Sequence, residues 1–128
     1  MGSEPIELRG IDHVQVAAPA GSEADARRFY GELLNLTELE KPEALRARGG
    51  AWFACGPHQL HVGIADPFAA ARKAHPALAV AAGDLDRLAS RLAQAGCTVT
   101  WDDTIAGTRR FFTADPWGNR IELVEQGA

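Results

Sequence analysis

Cysteine is nearly absent from this chain: two residues, Cys55 and Cys97, in 128. That excludes the disulfide framework of a small secreted domain, so a reduced, cytoplasmic protein with both thiols free is expected. Neither thiol has a neighbouring His or Lys to activate it. Long apolar runs are missing as well, none approaching the roughly 20 residues that a membrane span needs. The opening Met1-Gly2-Ser3-Glu4-Pro5 lacks the basic start and apolar stretch of a secretion signal. Basic charge is in deficit, 13 Lys and Arg against 17 Asp and Glu, giving a net charge of −4 and a pI near 5.5. Neither a nucleic-acid backbone nor an anionic membrane is therefore an expected partner. What is plentiful is apolar side chain, 46% of residues, which rules out disorder. The length suits one compact domain, or two small modules sharing one core.

The chain reads as one pattern written twice. Ile11–Ala18, IDHVQVAA, is a strand with Val14 and Val16 on one face and His13, Gln15 and Ala17 on the other. Ser22 is placed to cap a helix, with Asp25 completing a box-like start. Ala26, Phe29, Tyr30, Leu33 and Leu34 form its apolar stripe, and Asn35 its left-handed stop. Strands are expected over 36–40, 51–55 and 59–64, with a charged loop over 42–50. In 59–64, Gln59, His61 and Gly63 oppose Leu60, Val62 and Ile64. A connector over 66–74 leads to a second strand-helix set: a strand over 75–82, then a helix opened by Asp84 and closed by Gly96. Strands follow over 97–101, 107–114 and 120–125. In the last of these, Ile121 and Leu123 share one face, and Arg120, Glu122 and Val124 the other.

This repeat carries a chemical signature. His61 follows His13 by 48 residues (61 − 13), and Glu122 follows His75 by 47 (122 − 75). These four residues occupy the first and last strands of each half, always on the face opposite the helix-packing set. Imidazoles and a carboxylate form a usual ligand set for Zn, Ni, Fe or Mn. Side-by-side packing of the repeats would gather His13, His61, His75 and Glu122 inside a cupped sheet. His58 is out of phase with His61 and is assigned no role.

The segments IDHVQVAA, RRFYGELLNL, HQLHVGI, HPALAV and DPWGNRIELVE resemble the vicinal-oxygen-chelate superfamily. That group includes glyoxalase I, bleomycin- and fosfomycin-resistance proteins, methylmalonyl-CoA epimerase and extradiol dioxygenases. The resemblance implies an α+β fold of two paired βαβββ modules forming an open, cupped mixed sheet with helices outside. One such domain is expected over 9–126, its modules at 9–65 and 75–126. His13, His75 and Glu122 fall on positions used by metal-binding members, whereas His61 falls where glyoxalase I-like members carry Glu. The resemblance thus implies a divalent ion held by all four, with Glu122 and His61 as catalytic candidates. Gln15, Gln59, Arg120 and one of Arg109 or Arg110 are expected around it, an Arg suiting an anionic oxygen on a small-molecule substrate. Trp52, Phe111, Phe112 and Trp117 are candidates for an apolar wall.

A small metal-dependent enzyme, acting on an oxygen-bearing substrate by isomerase, lyase or transferase chemistry, is the leading expectation. The alternative is a dimeric protein that sequesters a hydrophobic or aromatic molecule, as in the bleomycin-resistance branch. A homodimer is expected, with sites either within a chain or shared between two.

Overall fold

The structure, a computed structural model, describes residues 2–127. Strand β1 (His13–Ala18) leads into helix α1 (Glu23–Ala26), which continues as a π-helical segment, Arg27–Leu33. Strand β2 (Thr37–Leu39), the short helix α2 (Glu43–Arg46), β3 (Ala51–Cys55) and β4 (His58–Ile64) complete the first module. The second comprises β5 (Ala77–Val80), helix α3 (Leu85–Gln94), β6 (Thr100–Asp102), β7 (Arg110–Ala114) and β8 (Arg120–Glu125). Each module forms a four-stranded sheet in the same order, β1-β4-β3-β2 and β5-β8-β7-β6. Its first and last strands pair in parallel and the remaining pairs are antiparallel. The expected paired βαβββ modules with mixed, open sheets are thus present.

Alternation along the strands decides where the core lies. Val16, Phe53, Leu60 and Val62 of the first sheet, and Phe111, Ile121 and Leu123 of the second, turn towards the helices. There they meet Phe29, Tyr30, Leu85, Ala89 and Leu92 in one cluster spanning both modules. Each fully buried Leu or Phe contributes about 1.5–3 kcal/mol relative to exposure. The wider π winding, marked by the Leu34 N–H donating to Phe29 O (3.0 Å), accompanies burial of two consecutive rings, Phe29 and Tyr30. Between the helices, Arg91 Nη1 donates to Leu33 O (3.2 Å). The opposite faces of both sheets carry the polar side chains, with Trp52 and Phe112 among them.

Several boundaries differ from the sequence reading. Ser22 stands at the helix start but makes no side-chain cap. Its hydroxyl is buried without a partner, while its carbonyl accepts from Ala26 N–H (2.9 Å). The first-turn carboxylate that finds a backbone partner is Glu23, accepting from Gly50 N–H at 2.7 Å. The 42–50 segment is not all loop, since it contains α2. It returns on two left-handed glycines, and a Cβ at Gly50 would collide with Val62 O, so Gly is required there. The strand expected from His75 begins only at Ala77, after Pro76. The strand expected from Cys97 begins at Thr100, because Cys97 N–H is still engaged in the helix stop, donating to Leu92 O (2.9 Å) around Gly96 at φ +87°. Likewise β7 starts at Arg110 rather than Gly107, after a turn in which Thr108 N–H donates to Ile105 O. Asn35 does take the left-handed stop, at φ +59°.

Candidate functional site

The polar face of the first sheet is assembled by register. Gln15 of β1 and Trp52 of β3 flank His61 of β4 as its direct cross-strand neighbours. The Trp52 indole lies parallel to the His61 ring, centroids 3.8 Å apart, and the His13 ring stacks on His61 at 4.2 Å. Gly63 leaves room on this face for the Gln15 amide, which would overlap any Cβ there. Gln59 Oε1 lies 2.8 Å from His61 Nε2, and Asp12 Oδ1 accepts from His13 Nδ1–H at 2.9 Å. In the neutral His13 ring that bond leaves Nε2 as the lone-pair nitrogen. His61 is 5% exposed. Burial lowers its pKa below the ordinary 6.5, helped by His13 beside it and opposed by Asp12.

The second sheet presents the complementary pair. Glu122 of β8, 8% exposed, lies between Ala77 of β5 and Phe112 of β7 in register. Its Oε1 is 2.9 Å from His75 Nε2. The other His75 nitrogen, Nδ1, donates to Lys73 O (2.9 Å), and a carbonyl can only accept. Arg110 Nη1 donates to the second Glu122 oxygen, Oε2, at 3.2 Å, and Arg110 Nη2 to Asp102 Oδ1 at 3.3 Å. Arg120 lies over the Phe112 ring, 3.8 Å from its centroid, and the edge of His75 meets the same ring at 5.4 Å. Arg109 is tied to Asp86 by two bonds and lies over Trp101, so Arg110 is the arginine beside Glu122.

The four candidate ligands therefore stand as two pairs, His13 with His61 and His75 with Glu122. Among the described residues of one chain, no group of three or more His, Cys, Asp and Glu side chains is placed to hold a metal ion. Between the modules lies a cavity of about 380 Å³ that does join some predicted positions, lined by Gln15, His75 and Arg120. The expected aromatic wall divides. Trp52 and Phe112 stand with the polar pairs, whereas Phe111 and Trp117 pack in or against the core. His58 is exposed at the start of β4, paired with Cys55. Both thiols are free, and burial raises the pKa of each.

Sequence reasoning missed the device that holds the modules in relation to each other. Asn119, 2% exposed, donates from Nδ2 to Ala17 O on β1 (2.7 Å) and to Asp115 Oδ2 (2.9 Å). Its Oδ1 accepts from Ala71 N–H in the connector (2.9 Å). Asp115 in turn accepts from Tyr30 O–H at 2.7 Å, and from the backbone N–H groups of Trp117 and Asn119. The turn before β8 thus reaches the strand carrying His13 and the connector leading to His75. Its turn chemistry was legible in DPWGN; a partner 102 residues away was not.

A family model described as Glyoxalase/Bleomycin resistance protein/Dioxygenase superfamily matches residues 10–123. The chain belongs to this superfamily. A glyoxalase family protein from Bacillus anthracis, known by crystal structure, is 44% identical over 97% of this chain and 100% of its own, with a TM-score of 0.90. The fosfomycin resistance protein FosX from Listeria monocytogenes (15% identity, 94% and 96% coverage, TM-score 0.74) shares the fold. So does lactoylglutathione lyase from Agrobacterium tumefaciens (18% identity, 92% and 94% coverage, TM-score 0.69). A search of curated proteins returned no match. Enzymes such as these last two occur in the glyoxalase superfamily beside members without activity. No helix among the described residues of the chain is long and apolar enough to cross a membrane.

Proposed function

We propose that this chain is a metal-dependent enzyme of the glyoxalase/resistance-protein type, with His13, His61, His75 and Glu122 as ligands of one divalent ion. The observation that carries the reading is the His75–Glu122 contact. With Nδ1–H committed to Lys73 O, the neutral ring turns a lone pair at Nε2 towards a carboxylate oxygen 2.9 Å away. Two acceptors so close need positive charge between them; a proton on His75 would supply it as an ion pair, and a divalent cation suits the same nitrogen and oxygen pair. His13 is oriented in the same way by Asp12, leaving Nε2 free. Since three ligands do not gather within one chain, the set is completed in a two-fold homodimer. There His13 and His61 of one protomer meet His75 of the partner subunit and Glu122 of the partner subunit, which generates two equal sites.

When bound, the ion supplies Lewis acidity to two oxygens of a small substrate. The chain's own residues do the rest. His61, shifted towards its neutral form by burial, keeps the lone pair that a ligand needs, and Glu122 is the candidate base for a substrate proton. Arg120 takes part in none of the described ion pairs and offers its guanidinium from the face of Phe112 to an anionic substrate oxygen. Gln15 and Gln59 orient the substrate, and Trp52 and Phe112 exclude water beside it. The same Trp52–His61–His13 stack favours the second reading, a dimer that sequesters a planar apolar molecule without turnover.

Metal titration of the chelator-stripped protein by calorimetry separates these readings. One divalent ion per chain is expected for the enzyme, and no binding leaves the sequestering protein. A mixture of His13→Ala and Glu122→Gln chains tests the shared site. A heterodimer regains one intact site if ligands come from both protomers, and none if each chain holds its own.

A further inference from the structure

The position of Arg110 has a consequence for metal choice. Its guanidinium is anchored on both sides: Nη2 donates to Asp102 Oδ1 (3.3 Å) and Thr104 Oγ1 (3.4 Å), and Nη1 to Glu122 Oε2 (3.2 Å). The guanidinium carbon lies 5.2 Å from the Phe112 ring centroid, and the buried Nε has no partner. Glu122 is equally constrained, being nearly buried with Oε1 facing His75 Nε2. The two carboxylate oxygens are thus assigned to different partners, Oε1 to the fellow ligand His75 and Oε2 to Arg110 outside the ligand set.

We infer that Arg110 is a positioning residue that makes Glu122 a one-oxygen ligand, and thereby selects small ions that accept monodentate carboxylate over larger ones that gain from a bidentate grip. This rests on the metal reading above. A carboxylate with both oxygens free can close on one ion, which larger and more flexible coordination spheres favour. With Oε2 engaged by Arg110, that closure requires breaking a charge-assisted bond. Asp102 and Thr104 act at one remove, fixing the guanidinium that fixes the carboxylate. Their signal in the sequence is faint, an acid that ends a short strand and a hydroxyl two residues beyond it.

The experiment compares Zn²⁺ and Mn²⁺ affinities in the full-length protein, by competition calorimetry after chelator treatment. A positive guanidinium repels every divalent ion about equally, so its charge cancels in the ratio of the two affinities, whereas a change in carboxylate denticity does not. Arg110→Met removes the guanidinium while keeping an unbranched side chain, and should lower the Zn²⁺/Mn²⁺ ratio about tenfold, the low end for residues that orient metal ligands. The Co²⁺-loaded variant should show a weaker visible absorption, as an added oxygen raises the coordination number. Arg110→Lys, which can still reach Oε2, should restore most of the ratio. Asp102→Asn leaves Glu122 untouched, avoids any folding defect at Arg110, and should shift the ratio the same way by less. Arg109→Met serves as the control. A ratio unchanged within about twofold in both the Arg110→Met and Asp102→Asn proteins, each still binding Zn²⁺, overturns the inference and leaves the metal reading intact. Failure of the unaltered protein to bind either ion removes both.

Discussion

Replacing Asn119 by Ala should cost this protein a large share of its stability, although the residue is neither apolar nor a ligand. The side chain makes three hydrogen bonds, to Ala17 O at 2.7 Å, Asp115 Oδ2 at 2.9 Å and Ala71 N–H at 2.9 Å. At 2% exposure, water has no access to take over those bonds. A net contribution near 1 kcal/mol for each, with a further penalty for groups left buried and unpaired, gives a loss of about 3–5 kcal/mol. Domains of this size have roughly 5–15 kcal/mol in total. At about 3–5 °C per kcal/mol for a chain between the small and medium size classes, the melting temperature should fall by about 10–25 °C. Asn119→Asp sharpens the test, because it keeps the shape but turns the donor end into an oxygen facing Ala17 O and Asp115. It should be at least as damaging at pH 7, and partly recover towards pH 4 as the new carboxyl protonates. Urea denaturation followed by tryptophan fluorescence and circular dichroism measures both variants. A loss below about 1 kcal/mol for Asn119→Ala would show that the modules are held by the apolar core alone.

Further expectations follow from single contacts. Glu122→Gln should weaken Zn²⁺ binding at least about tenfold in calorimetry, and an unchanged affinity would remove Glu122 from the ligand set. Ser22→Ala should change stability by less than about 0.5 kcal/mol, against the usual loss near 1 kcal/mol at a helix start, because the Ser22 hydroxyl caps nothing. A loss above 1 kcal/mol would reveal a cap. Tyr30 is buried, and burial, then Asp115, raise its pKa well above 10. The unfolded chain therefore releases this proton first, near pH 10. Stability should fall above that pH, and Tyr30→Phe should flatten this alkaline limb in denaturation curves at pH 9–11. An unaltered limb would assign it to another group.

What the sequence alone determined was whatever depends on short-range periodicity. Alternation in HVQVAA and RIELVE, the apolar stripe through Phe29 and Tyr30, and the 48- and 47-residue spacings suffice for two modules with polar faces turned from the helices. Those faces are where His13, Gln15, His61, Glu122 and Arg120 stand, since strand side chains must alternate whatever surrounds them. Strand ends were less legible. Cys97 belongs to a helix stop and Pro76 interrupts a strand start, both matters of competing hydrogen bonds. Only the tertiary structure decided which residues meet. That Arg110 and not its neighbour Arg109 reaches Glu122 follows from which sheet face each occupies once β7 pairs with β8. That Asn119 joins β1, the connector and the last turn depends on two modules packing over one core, and no local pattern encodes a contact across 102 residues. The division of the ligands into two pairs has the same origin. Sequence spacing aligns equivalent positions in each module, but the distance between modules is set by how their cores pack.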